Sequence, residues 1–144
     1  ILASMRFHGF LELIKGDYDM ELVKVHTDKA PAALGPYSQA VVAGEMVYLS
    51  GQGGINPETG KLVEGGVVAE AKQIMKNIGA VLEAAGTSFE NVVKTTVFLA
   101  DMGDFATFNE VYAEYFTTKP ARSCVAVKTL PAGFAAEVEV IAVK

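Results

Sequence analysis

Residues 67–85, VVAEAKQIMKNIGAVLEAA, carry the clearest periodicity in the chain. Apolar side chains recur there every three or four residues, which is the spacing of one face of an α-helix. Polar side chains such as Glu70 and Lys72 lie mostly on the opposite face. Gly86 follows directly, and glycine takes the left-handed conformation that ends a helix at little cost. The stretch therefore predicts an amphipathic helix that packs one face against a core.

Strand and helix patterns flank this helix on both sides. Upstream, a short strand over 21–27 precedes two apolar runs, 39–42 and 46–50, whose separation around Gly44 is typical of a β-hairpin. Downstream, the patterns predict a strand over 91–100, a second amphipathic helix to residue 116 with Asp104 as its N-cap, and alternating strands over 122–127 and 136–143.

Two helices can cover only one face of such a sheet. The strand over 92–99 is apolar on both of its faces. Strict alternation points Val92 and Phe98 to one face and Val93, Val97 and Leu99 to the other. A bare apolar face of that size is uncommon on a soluble monomer. We therefore expect an α+β fold with a mixed β-sheet and two helices on one face, in a homo-oligomer whose second subunit covers the other face.

Length and composition predict one globular domain. The chain has 144 residues, of which 51% are hydrophobic and 20% are charged. Residues 1–19 precede Met20 and lack the pattern of a signal peptide. We expect 1–19 to be a non-native or disordered extension and 20–144 to form the single domain.

Charge and cysteine content exclude several classes of function. The net charge is −5 and no basic run is present, which argues against nucleic acid as the natural partner. Cys124 is the only cysteine, so neither an internal disulfide nor a cysteine-based metal cluster can form, and the cytoplasm is the expected compartment. No apolar stretch is long enough for a membrane span, and no metal-spaced histidine pair or phosphate-loop lysine occurs.

The last two strands carry the candidate chemistry. Arg122 and Cys124 share one face of their strand, and Glu137 and Glu139 share one face of the next. If these strands pair as a hairpin, a guanidinium, a thiol and a carboxylate converge, and the guanidinium fork would match a substrate carboxylate. The alternatives are a surface ion pair for Arg122, a small buried hydrophobe for Cys124 and solvated glutamates.

Two further side chains lie at strand ends, where they can reach a pocket. They are Tyr37, in Gly35-Pro36-Tyr37-Ser38-Gln39, and Ser50, in Ser50-Gly51-Gln52. Tyr37 can equally lie at the edge of the core.

Several ordered motifs together resemble the Rid family, the YjgF-like reactive intermediate deaminases. The resemblance covers residues 20–144 and rests on GPYSQA (35–40), SGQ (50–52), VKTTVF (93–98), NEVY (109–112) and PARSC (120–124). Arg122 makes the chain similar to the RidA branch in particular.

The resemblance implies a chorismate-mutase-like α+β fold and a homotrimer with its sheets packed inward and active sites between subunits. It implies hydrolysis of 2-imino and 2-enamine acids, such as 2-aminoacrylate and 2-iminobutyrate, to 2-keto acids and ammonia, without cofactor or metal. Arg122 would grip the substrate carboxylate and Glu137 would activate the water. Tyr37, Ser50 and Cys124 would line the pocket, and Glu139 matches a less direct position.

The sequence departs from the family pattern in three places. Gly53-Gly54 replaces the usual Ile-Pro, 117–119 is a shortened approach to Pro120, and Ala126 stands where a glutamate is common. These departures can change pocket shape and substrate preference. Two alternatives stay open: a non-catalytic trimer that binds small keto or imino acids, and ribonuclease or translation inhibition, which the acidic charge disfavours.

Overall fold

The computed structural model describes residues 20–144, and a six-stranded mixed sheet forms their centre. The sheet order is β1-β2-β3-β8-β6-β7, and all neighbours are antiparallel except β6 and β7, which are parallel. The six strands are β1 (Leu22–Val25), β2 (Ala40–Ala43), β3 (Met46–Gly53), β6 (Val92–Leu99), β7 (Ala121–Ala126) and β8 (Ala136–Val143). A separate small hairpin joins β4 (Ile55–Asn56) and β5 (Lys61–Leu62). The predicted extension over 1–19 lies outside the described residues.

Two helices, α1 (Gly66–Ala84) and α2 (Phe105–Tyr115), cover one face of the sheet. This confirms the predicted α+β class and both helices. The core between the layers consists of fully buried side chains, among them Ile74, Met75, Ile78, Val97 and Val138. Gly86 ends α1 as predicted: its φ is 81°, and the Thr87 N–H donates to the Leu82 carbonyl at 3.0 Å.

The predicted N-cap at Asp104 is wrong. Asp104 has helical φ and ψ, and its side chain makes no capping hydrogen bond. Asp101 is extended instead, and its carboxylate accepts from the Gly103 N–H at 2.8 Å. An N-cap needs extended backbone before the first turn. The cap therefore lies at Asp101, before the short 3₁₀ turn Met102–Asp104 that leads into α2, and not at Asp104.

Strict alternation is also wrong at the start of β6. The pairing of β6 with β8 slips between Val92 and Lys94, as in a β-bulge. Val92 pairs with Ala142 and is buried with the helix-facing residues, whereas Val93 is 42% exposed. The extra residue therefore turns Val92 towards the helices and exposes Val93, the reverse of what strict alternation predicts.

β7 and β8 do not form a hairpin. β8 lies between β3 and β6, and β7 follows β6 in parallel at the edge of the sheet. The connection over 127–135 contains the 3₁₀ turn Pro131–Gly133 and is long enough to place β8 on the far side of β6. Pairing of adjacent strands was therefore the wrong expectation for these two elements.

Among residues 20–144, no helix covers the second face of the sheet, which we call the open face. Its side chains are both apolar and charged, and they include Val41, Tyr48, Phe98, Val125, Glu137, Glu139 and Ile141. Tyr48 and Val125 are each 46% exposed. Within residues 20–144, neither helix has the length and hydropathy that crossing a bilayer requires.

Candidate active site

Arg122 extends from the edge strand towards α2. It pairs in register with Thr95, whose side chain is fully buried beneath the helices. Its Nη1 donates to Asn109 Oδ1 at 2.6 Å, and its guanidinium carbon lies 4.7 Å from the centroid of the Tyr112 ring. The Phe105 ring lies at 5.6 Å. Side chains of α2 therefore hold the guanidinium on three sides.

The Tyr112 ring is itself fixed. Its hydroxyl lies 2.8 Å from Thr95 Oγ1 in a buried hydrogen bond, and its ring stacks on Phe116 at 4.3 Å. Burial raises the pKa of the Tyr112 hydroxyl, an effect that the hydrogen bond with Thr95 and the charge of Arg122 oppose. The ring thus offers Arg122 a rigid, neutral face for a cation–π contact.

Arg122 has no acidic partner in the described part of the chain. Among residues 20–144, no carboxylate oxygen lies within 4.0 Å of its guanidinium. Asn109 is neutral and occupies one of the five N–H donors, which leaves a fork for an external carboxylate. The alternative of a surface ion pair is therefore wrong for these residues.

A cavity of about 520 Å³ opens beside Arg122, between the end of α2 and the start of β7. Tyr112, Phe116 and Pro120 provide apolar walls, and Asn109 and Lys119 contribute polar groups. Lys119 has a φ of 56°, and its N–H donates to the Phe116 carbonyl at 3.2 Å. The shortened approach to Pro120 therefore forms a tight turn that bounds the cavity.

Cys124 lies beside Arg122 on the same face of β7 and is half-buried. Burial raises the pKa of its thiol, and the positive charge of Arg122 only partly opposes this. A thiol kept protonated is a poor nucleophile. Cys124 is therefore a part-buried neighbour of Arg122 and not suited to nucleophilic attack, and the cavity beside Arg122 is lined by Arg122 but not by Cys124.

Glu137 lies on the open face, opposite Phe98 of β6 and Gly53 of β3. Its carboxylate rests on the backbone at Gly51, where any side chain would overlap it. Burial raises the pKa of Glu137, and the negative charge of Glu139 raises it further. Glu137 is thus a carboxylate suited to proton transfer nearer neutral pH.

Tyr37 and Ser50 lie on the Glu137 side of the molecule. Ser50 Oγ donates to the Ser38 carbonyl at 2.6 Å and so ties the loop that carries Tyr37 to β3. Tyr37 is 54% exposed and lines a smaller pocket of about 120 Å³ together with Gly51, Gly53 and Phe134. These side chains form a second group of candidates, separate from Arg122 and Cys124.

Within one chain the two groups do not converge. Arg122 and Cys124 point to the helix side at the edge strand, whereas Glu137 points to the open face. β6 lies between β7 and β8, which places these strands about 10 Å apart. Sequence reasoning gave no role to Asn109 and Tyr112, although their three-residue spacing on one helix face was the available signal.

Comparison with known proteins gives consistent matches. A sequence model of the family described as Endoribonuclease L-PSP matches residues 27–144. A mouse protein named 2-iminobutanoate/2-iminopropanoate deaminase is 57% identical over 121 residues, which cover 83% of this chain and 90% of the mouse protein. Reactive Intermediate Deaminase A, chloroplastic, from Arabidopsis thaliana is 52% identical over 140 residues, covering 96% of this chain and 75% of its own.

A solved structure has the same fold. The crystal structure of RidA from the Antarctic bacterium Psychrobacter sp. PAMC 21119 superposes with a TM-score of 0.82 at 49% sequence identity. The superposition covers 85% of this chain and 99% of the other.

Proposed function

The chain belongs to the Endoribonuclease L-PSP family, also called the Rid or YjgF-like family, and we propose that it performs RidA-type deamination at a site built around Arg122. It hydrolyses 2-imino and 2-enamine acids to 2-keto acids and ammonia, the reaction that its relatives' names describe. The observation that carries the site is the half-buried Arg122, whose neutral partner leaves its fork open.

The reaction asks little of the protein because an imine carbon is already electrophilic. Water adds to that carbon while a proton reaches the nitrogen, and the tetrahedral intermediate then expels ammonia as the carbonyl forms. An enamine first takes a proton on carbon to become the imine. The site must therefore hold the carboxylate, move protons and position one water.

Arg122 binds the substrate carboxylate through two parallel hydrogen bonds. Asn109 and the Tyr112 ring hold the guanidinium plane, so little side-chain freedom is lost when the substrate binds. Cys124 lies beside it on the same face of β7.

Glu137 orients and deprotonates the attacking water, then returns the proton to the leaving nitrogen. Its raised pKa brings it nearer to neutral pH, where a general base is most effective. Tyr37 closes the pocket on this side, and Ser50 holds the loop of Tyr37 in place.

The complete site lies between two chains of a homotrimer. Arg122 on the edge strand of one chain faces Glu137 on the open face of its neighbour, and the sheets pack inward in a chorismate-mutase-like arrangement. Two features support this: the separation of the two groups within one chain, and the apolar residues of the open face. The reaction needs no cofactor or metal, and the single free cysteine suits a cytoplasmic protein.

The deciding experiment generates 2-iminobutyrate in situ with a threonine dehydratase and follows the keto acid. We expect the wild type to accelerate conversion over the protein-free rate. Arg122→Ala should lose about 2 to 5 kcal/mol of transition-state stabilisation, calculated from the ratio of the two kcat/KM values, as when one partner of a buried charge pair is truncated. Glu137→Gln should lower kcat by a factor of about 10² to 10⁴, the contribution typical of general acid–base groups.

Arg122→Lys is the matched control, because it keeps the charge and removes the fork. It should remain impaired with an unchanged oligomer. Equal rates with and without protein would refute the deaminase function. Keto-acid binding without turnover would support the non-catalytic trimer, and RNA cleavage that survives Arg122→Ala would support a ribonuclease acting elsewhere on the surface.

A further inference from the structure

Glu70, in the first half of α1, is a buried carboxylate that the mechanism above does not use. It is only 5% exposed, although it belongs to the polar side of the helix pattern. Its Oε2 accepts a hydrogen bond from the backbone N–H of Ala135 at 2.7 Å. Burying a carboxylate costs free energy unless hydrogen bonds compensate, and the bond from Ala135 provides such compensation for Glu70.

Ala135 is held from two sides. Glu70 accepts from its N–H, and its carbonyl accepts from the Ala100 N–H at 2.9 Å. The next residue begins β8, and Glu137 follows two residues after Ala135. The peptide that leads into the strand of the proposed base is therefore clamped between α1 and the end of β6.

Two glycines, Gly53 and Gly54, leave space for the side chains next to the Glu70–Ala135 hydrogen bond. A side chain on Gly54 would place its Cβ 2.8 Å from the Glu70 Cβ, and one on Gly53 would overlap the Phe134 ring. The Gly53-Gly54 pair thus makes room for Glu70 on one side and for Phe134, the neighbour of Ala135, on the other.

We propose that Glu70 is a positioning residue, which fixes the entry to β8 and thereby holds the Glu137 carboxylate over Gly51. The inference rests on the proposed role of Glu137. Without the Glu70 carboxylate, the part-buried Ala135 N–H loses its hydrogen-bond partner, and the peptide rotates or shifts to find water. A displacement of about 1 Å at the reacting group can cost a factor of 10² in rate.

The test compares Glu70→Ala, Glu70→Asp and Glu70→Gln in the 2-iminobutyrate assay. Glutamine keeps an acceptor at the same reach, so its kcat should stay within about threefold of wild type. Alanine should lower kcat about 10- to 100-fold with KM within about twofold, because Arg122 lies on another strand and face. Aspartate keeps the charge but falls short of Ala135, and it should lower kcat by an intermediate factor while preserving the fold.

Thr87→Val is the matched structural control. The Thr87 hydroxyl donates to the Val143 carbonyl and accepts from Asn91 Nδ2. Thr87→Val therefore removes one side-chain hydrogen bond from the far end of the same strand and a second one to Asn91. It should lower the unfolding midpoint without changing kcat. Wild-type kcat in folded Glu70→Ala and Glu70→Asp would overturn the proposal, and so would an equal loss of kcat in Thr87→Val.

Glu137→Gln separates this inference from the proposed function. Full activity in that variant would remove Glu137 as the base, whatever the Glu70 variants do. An inactive Glu137→Gln together with fully active Glu70 variants would leave the proposed function standing and refute only the positioning role.

Discussion

Arg122 and Glu137 are supported in physically different ways. Arg122 relies on side chains of α2, whose hydrogen bond and ring contacts fix the plane of the guanidinium. Glu137 relies on backbone, because its carboxylate lies directly over Gly51. Substitutions that disturb α2 should therefore affect substrate binding first, whereas those that disturb the ends of β3 or β8 should affect the chemical step.

Glu139→Gln tests the electrostatic setting of Glu137. The pKa of Glu137 is raised chiefly by burial and secondarily by the like charge of Glu139. As a base, Glu137 must be ionised, so activity should rise with pH through a pKa above the ordinary glutamate value. Removing the neighbouring charge lowers that pKa, so the acid limb of the kcat/KM profile should move to lower pH without reaching the ordinary value.

The measurement is the rate of keto-acid formation from pH 4 to 9, with the protein-free rate subtracted at each pH. Glu45→Gln serves as the control, because Glu45 lies outside the site at the β2–β3 turn and should leave the limb in place. A limb that moves to higher pH in Glu139→Gln would contradict the assignment of Glu137 as the base.

Side-chain type and strand alternation made Arg122 a candidate and placed Cys124 on its face, and the family resemblance then implied the carboxylate-binding role of Arg122. They could not show what surrounds Arg122, because Asn109 is 13 residues away in sequence and reaches it only through the packing of α2. They also could not separate Glu137 from Arg122, since alternation gives the face of each strand and says nothing about which strands pair.

At the level of elements, local signals predicted the helices and the first hairpin well. The α1 periodicity, Gly86 and the Gly44 turn are all read from neighbouring residues. The sheet order was not predictable in this way, because β8 pairs with β3 and β6, which are both far from it in sequence. The bulge in β6 could not be predicted for the same reason, because the extra residue is visible only in the register between β6 and β8.

Threonine substitution at two adjacent valines tests the bulge. Val92 is 5% exposed on the helix side, whereas Val93 is 42% exposed. Val92→Thr buries a hydroxyl in the core and should lower the free energy of unfolding by about 1 to 3 kcal/mol. Val93→Thr keeps shape and strand preference and should change it by less than about 0.5 kcal/mol.

Urea unfolding at one fixed protein concentration measures both variants, so that association contributes equally. A larger effect at Val93 would show that strict alternation holds at this point, and equal destabilisation would contradict the observed difference in burial between the two valines.

At the level of the whole molecule, the proposed trimer makes deaminase activity depend on assembly through the open face. Tyr48 lies on it and is 46% exposed in the single chain. In the proposed trimer an aspartate there would be a charge without a partner in an apolar contact, which is strongly unfavourable. Tyr48→Asp should therefore dissociate the oligomer and abolish deaminase activity, although the position touches neither Arg122 nor Glu137.

Light scattering coupled to size-exclusion chromatography gives the mass directly, and the wild type should have three times the mass of one chain. Val68→Asp is the matched control, because Val68 is 38% exposed on α1, away from the open face. It should remain trimeric and active. A monomeric Tyr48→Asp that keeps full activity would contradict a site shared between chains.

The position of β8 also has a consequence for how the protein is made. It is the eighth strand in chain order, yet it lies in the interior of the sheet, with β3 on one side and β6 on the other. A ribosome has therefore already released the other strands and both helices before residues 136–143 can join them. Until then β3 and β6 expose unpaired edges, which can attract other nascent chains. Both the sheet and the proposed base thus become available only in the last moments of translation of this domain.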